Sequence, residues 1–221
     1  MIDFFHNIVW ADIAQATFDT LLMLGGSFAL TVMLGIPLGV LLFLTDRGQI
    51  SQNIAVNRLL GFSVNILRSI PFVILLIMMI PLTLALVGTS LGVAGAIPPL
   101  VAGAAPFYAR LVESALREIP RSTIEAVQAM GATRIQIITK VLVPEALPGI
   151  VSGATITAIA LVSFTAMAGV VGAGGLGDLA IRYGYQRFQG DVMLVTVALL
   201  IVLVQLIQFA GDRLAGAVDH R

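Results

Sequence analysis

Four long stretches of this chain contain no Asp, Glu, Lys or Arg, and they decide what it can become. Thr20 to Thr45 runs for 26 residues without a charge, Ser69 to Ala109 for 41, Ala146 to Gly177 for 32 and Val192 to Gly211 for 20. In a helix, about 20 apolar residues cross a hydrocarbon core of roughly 30 Å, and only a helix or a closed barrel satisfies its backbone hydrogen bonds in lipid. The run of 41 is too long for one crossing, and Gly88-Thr89-Ser90-Leu91-Gly92 supplies a turn near its middle. The expectation is an all-α membrane protein with five transmembrane helices, over about 20–45, 65–87, 93–116, 149–171 and 191–211. These spans form a single transmembrane domain, 1–221, with 1–19 as an outer N-terminal segment and 117–148 as a loop.

Composition excludes several functions. Apolar residues make up 58% of the chain and charged residues 11%, far from soluble usage. A net charge of zero gives no basis for nucleic-acid binding. Without cysteine there is no disulfide or thiolate metal site, and His6 and His220 lie near opposite ends, so no metal and no cofactor is expected. The four runs hold no ionisable side chain except tyrosine, which argues against proton-coupled transport and less strongly against sodium coupling. No G-x-x-x-x-G-K-[ST] stretch is present, so if the chain pumps, the energy comes from another chain.

The bases orient the spans, since Lys and Arg are retained in cytoplasmic loops. With the N-terminus outside, the inner segments hold Arg47, Arg58, Arg68, Arg110, Arg117, Arg121, Arg134, Lys140, Arg213 and Arg221, and the outer ones only Arg182 and Arg187. No base precedes Arg47, so the N-terminus lacks the positive region of a cleavable signal and is expected to stay attached. Phe4, Phe5, Ile8, Val9 and Ile13 recur at helical spacing beside Trp10, as in a short helix lying in the outer interface; a frayed lead-in to the first span fits equally well. Gly35, Pro37 and Gly39, Pro71 and Pro81, and Pro98, Pro99 and Pro106 punctuate the spans, serving either moving interfaces or tight static packing. Five helices make a thin wall for a polar pathway, which favours a symmetric dimer.

The loop is the other informative region. Ser122-Thr123-Ile124-Glu125 has the capping-box form after Pro120, Gly131 can end that helix in a left-handed turn, and Thr133-Arg134-Ile135-Gln136 repeats the box. Pro144 should stop the second helix near Leu142 or Val143. Ile124, Val127 and Met130, then Ile135, Ile138 and Leu142, form an apolar stripe that must lie against the chain's own helices, on lipid, or in a partner's groove.

Glu125-Ala126-Val127, three residues, Gly131, nine residues, Val141-Leu142-Val143-Pro144 resembles the cytoplasmic signature E-A-A, three residues, G, nine residues, I-x-L-P of bacterial ABC importer permeases. It departs at Val127, Val141 and Val143, all apolar. Nearly the whole chain resembles the methionine importer permeases, through "RSIPFVILLIMMIP" (68–81), "VGTSLG" (87–92), "GAAPFYARLVESALREIP" (103–120), "KVLVPEALPG" (140–149) and "AMAGVVGAGGLGDLAIRYGY" (166–185). The resemblance implies the type I ABC importer permease fold in a bacterial cytoplasmic membrane, with a coupling-helix hairpin in the cytoplasm. It implies a homodimer, two copies of an ATP-binding subunit docked on that hairpin, and an extracytoplasmic substrate-binding lipoprotein. It implies uptake of methionine, in the L-form and with the D-form left open, although permeases for other amino acids or quaternary amines share the signature. Glu125, Ala126, Gly131, Ala132 and Pro144 carry the coupling role in this reading. Met167, about two-thirds along the fourth span, and Ser163 one turn before it are assigned to the gate and pathway, with ordinary packing as the alternative for Met167.

Gly172-Ala173-Gly174-Gly175-Leu176-Gly177 contains G-x-G-x-x-G, but no strand–helix unit surrounds it, so a flexible outer loop is expected rather than a nucleotide site. No catalytic residue is expected, because Ser163 and Ser152 have no evident base. A passive channel would share the spans, yet would not need the docking hairpin.

Overall fold

The computed structural model describes residues 8–219. Phe4, Phe5, His6, His220 and Arg221 therefore lie outside the described residues. Helix α1 (Trp10–Thr45) is one continuous rod of about 54 Å at 1.5 Å per residue. Trp10 opens this rod instead of belonging to a separate interfacial helix, and Ile8, Ile13 and Ala16 are buried against Leu176, Leu179 and Val192. Helix α2 (Ile54–Ser69) starts under an Asn53 cap, and α3 (Phe72–Met78) and α4 (Ile80–Val87) follow. The expected span at 65–87 is thus not one helix: α2 and α3 meet at 103°. Pro71 causes the break, because its ring pushes the preceding residue out of the helical region, and Ile70 is extended at φ −81°, ψ 125°.

The expected turn follows, with Gly88 and Gly92 at φ +80° and +70°. Helix α5 (Gly92–Arg117) returns across the molecule. The loop carries α6 (Arg121–Ala129), α7 (Arg134–Ile137), a wider π-turn over Ile138–Leu142, and α8 (Val143–Glu145). Then come α9 (Leu147–Gly169), α10 (Gly175–Leu179), a second π-turn (Ala180–Tyr185) and α11 (Gly190–Val218). Among the described residues four helices are long and apolar enough to cross a membrane, or five when the bent α2–α3 pair counts as one.

Close backbone approach sets the α1–α5 packing. A Cβ at Gly39 would sit 2.5 Å from the Ala109 carbonyl oxygen, and one at Gly35 would sit 2.6 Å from the Tyr108 ring. These two glycines serve tight packing, the second of the two roles open to them from sequence. Two apolar cores result. One, around Phe43, Tyr108, Val112, Leu116 and Ile150, lies toward the loop, and the other, around Met23, Phe72, Leu100, Leu161 and Ala168, lies toward the opposite end.

Candidate functional site: a two-faced hairpin and a helix groove

The loop forms the expected hairpin by partly different means. Pro120, at φ −59° and ψ 134°, directly precedes α6. Ser122 therefore falls two residues past the cap position, and no side chain caps this end. The first expected capping box does not form. At the other end Gly131 adopts φ +79°, its N–H donates to the Gln128 carbonyl at 2.9 Å, and the Ala132 N–H donates to the Val127 carbonyl at 3.3 Å. This is the Schellman pair, which only a residue tolerant of positive φ completes cheaply. The second box is present: the Gln136 N–H donates to Thr133 Oγ1, and the Thr133 N–H donates to Gln136 Oε1 at 2.9 Å.

Pro144 does not stop the second helix, which continues to Glu145. A proline four residues past Lys140 would clash with that residue's carbonyl in an ideal helix. The π-turn over Ile138–Leu142, in which the Val143 N–H donates to the Ile138 carbonyl, widens the ladder there.

The apolar stripe divides. Ile124, Ile137 and Leu142 are buried against Leu116, Ile119 and Ala146, the expected Val127 and Ile138 pack half-buried on the same core, and Ile137 is the inward residue that the expected stripe lacked. Met130 and Ile135 remain 77% and 73% exposed. Glu125, Ala126, Gly131 and Pro144 are also exposed, and Ala132 is half-buried. The hairpin therefore has one face anchored on its own chain and one face open, and nothing lies within 4 Å of where a Gly131 Cβ would point.

Charges fix the anchor. Glu113, only 4% exposed, accepts from Arg110 at 2.7 Å and from Arg117 at 2.6 Å. Arg117 also pairs with Asp46 after α1, at 2.6 Å. Arg110 donates to Asn65 Oδ1 and the Gly61 carbonyl on α2, and Arg121 donates to the Gly48 carbonyl at 2.7 Å. The Arg47 N–H, helped by the Arg117 guanidinium, holds the Asp46 carboxyl below its ordinary value. Sequence reasoning missed this cluster because Glu113 lies just past a charge-free run. The i,i+3 and i,i+4 spacing of Arg110, Glu113 and Arg117 was the available signal.

Met167 and Ser163 come together, both exposed, on the side of α9 that faces α11. With Ala166, Val170, Val204 and Gln205 they line a groove of about 560 Å³. The glycine-rich piece behind them is packed rather than free. Gly175 to Leu179 are buried, the Leu176 N–H donates to Thr20 Oγ1 at 2.9 Å, and the Gly92 N–H donates to the Gly172 carbonyl at 3.0 Å. A Cβ at Gly177 would collide with the Ala166 backbone, and one at Gly169 with the Asp178 amide. Asp178 in turn pairs with Arg182. Among the described residues no group of three His, Asp or Glu side chains is placed to hold a metal ion.

The family model described as "Binding-protein-dependent transport system inner membrane component" matches residues 32–221. The chain is 55% identical over 206 residues to the probable D-methionine transport system permease protein MetI of Vibrio cholerae, covering 93% of this chain and 92% of that one. It is 48% identical to the methionine import system permease protein MetP of Bacillus subtilis, over 99% and 98% of the two chains. A solved inward-facing structure of the MetNI methionine ABC transporter matches with a TM-score of 0.94 at 52% identity, over 96% of this chain and 98% of that one. An amino acid ABC transporter structure at 16% identity and a TM-score of 0.71 shares the fold. With residues 32–221 matched by its model, this chain belongs to the family of binding-protein-dependent transport system inner membrane components.

Proposed function

We propose that this chain is the membrane-spanning permease subunit of an ATP-driven importer that brings methionine into the cytoplasm by alternating access. The observation that carries the reading is the 52% identity at a TM-score of 0.94, over 96% of the chain, to a methionine ABC transporter. Two copies of the chain pair in the bilayer. Two copies of a separate ATP-binding subunit, which hydrolyses the ATP, dock on the open face of the hairpin through Glu125, Ala126, Gly131, Ala132 and Pro144, with Met130 and Ile135 supplying apolar contact. The exposure of Glu125, Ala126, Met130, Gly131, Ile135 and Pro144 supports this role. An extracytoplasmic substrate-binding lipoprotein delivers substrate at the far end. The N-terminus lies outside and the C-terminus in the cytoplasm, a reading supported by the bases Arg117 and Arg121 gathered beside the hairpin. Met167 and Ser163 line the pathway and form its gate.

The test is reconstitution of the chain with its ATP-binding and lipoprotein partners in liposomes. ATP-dependent uptake of labelled methionine is expected, and uptake of another amino acid in place of methionine would overturn the substrate assignment.

A further inference from the structure

Arg68 lies in the last turn of α2, at the 103° break. Its guanidinium lies 6.0 Å from the centre of the Phe107 ring, and it has no hydrogen-bond or ion-pair partner among the described residues. Phe107 stands ten residues from Arg117 and fifteen from Gly92 on α5, so it lies about 15 Å and 22 Å from the two helix ends. That is membrane depth and not the inner segment expected for its charge from the sequence, and an exposed cation with no ionic partner there is costly and marks a functional site by default.

The same cation borders a cavity of about 280 Å³ walled by Leu67, Phe72, Gly103, Phe107 and Phe164, near the small end of ligand sites at roughly 300–1,000 Å³. Phe72 and Phe164 stack at 4.4 Å, tying α3 to α9 across it. Gly103 keeps the wall thin, since a Cβ there would come within 3.2 Å of Phe72. One further group completes the chemistry. Pro71 has no N–H to donate to the Leu67 carbonyl, four residues before it, so that acceptor is left at the negative end of α2 beside the cavity.

We propose that this cavity is a transit subsite for a single apolar α-amino acid, a proposal that rests on the importer reading above. Arg68 grips the carboxylate in its planar fork, the Leu67 carbonyl accepts from the ammonium, and the phenyl rings take the apolar or thioether side chain. The site is shared by α2, α3, α5 and α9, so rearrangement of these helices during transport would make and release it.

The absence of native cysteine allows a local probe. In the full complex in nanodiscs, Leu67→Cys is labelled with a maleimide with and without L-methionine. Saturating methionine should slow labelling about tenfold as the site fills. Methioninamide, which keeps the ammonium and lacks the carboxylate, should not. Protection should vanish in Arg68→Gln and partly return in Arg68→Lys, with each complex still eluting as one assembled peak on size-exclusion chromatography. Protection that survives Arg68→Gln reports a distant conformational change and overturns the proposal, as does unprotected labelling throughout. Slowing by anionic lipid in place of methionine assigns Arg68 to a phosphate headgroup and overturns it equally. Uptake by the unmodified complex is measured alongside. If a different amino acid is carried, the methionine reading fails, and the subsite stands or falls on the same Arg68 dependence with that amino acid.

Discussion

Both ends of this permease are built around glycines, and they use them in opposite ways. Gly131 has a left-handed backbone and empty space where its Cβ would lie. Gly177 is helical, and its Cβ would run into the Ala166 backbone. The hairpin glycine leaves room for something the chain does not contain. The glycines behind Met167 leave room for the chain itself, letting α10 press against α9 and bury Leu176 under Thr20. One end is packed tightly against the subunit's own helices, and the other keeps an open face, which on the proposed reading receives the ATP-binding subunit.

The harshest way to break this contrast is Gly177→Leu. The colliding atoms belong to the backbone of a buried helix, which yields less than a side chain would, so overpacking should exceed about 3 kcal/mol. Loss of folded protein, read as a missing monodisperse peak and thermal transition in detergent, is the expected outcome. A stable Gly177→Leu protein would mean that α10 is not seated where it lies here. Glu113→Ala should come next. Removing it leaves Arg110 and Arg117 without their shared carboxylate, at a cost near 3 kcal/mol, the low end for a buried pair because Arg117 is half-exposed. Thermal denaturation should register the loss, with Glu113→Gln milder.

Much of this organisation was legible in the sequence because it depends on residues acting locally. Spans follow from absent charge, the Gly88–Gly92 turn from two glycines, and the hairpin from Gly131 and the Thr133–Gln136 box. What was hidden depends on packing. Whether Ser122 or Pro120 begins α6 is a competition that pattern does not decide. The sharp bend at Pro71 reads in sequence as one of several prolines in apolar runs. The segment from Gly172 to Gly177 resembles a loose loop until α9 is beside it, and Glu113 becomes a hub only when α1 and α2 bring Asp46 and Asn65 within reach.

Gly131→Leu sharpens the contrast from the other side. Its strain is about 1–2 kcal/mol for a non-glycine residue in the left-handed region, and it meets no neighbour within the chain, so the subunit should still fold and insert. Uptake, or its coupling to ATP hydrolysis, should fall sharply because the new side chain stands on the docking face. Glu125→Ala should change stability by less than about 0.5 kcal/mol, as for a surface site away from special features, since α6 has no side-chain cap to lose. Any transport defect it shows therefore reports the partner contact. Normal coupled transport by Gly131→Leu would show that the open face is not where the ATP-binding subunit sits.

The smallest structural change asks the most specific question about the other end. Met167 is 43% exposed and faces a groove, so Met167→Cys opens no cavity within the subunit and should leave its thermal stability nearly unaltered. Only a second copy makes it informative. If the two copies meet at α9, the introduced thiols lie across the pair axis, and an oxidant should link them in the resting complex, with no native cysteine to compete. If Met167 gates the pathway as proposed, ATP turnover separates the pair for part of each cycle, and the link should form more slowly. Ser163→Cys, one turn away on the same groove, should follow the same trend. Equal crosslinking in both states would make Met167 a fixed packing residue. No link in either state would place α9 away from the pair axis, and the closed end would then have its gate elsewhere.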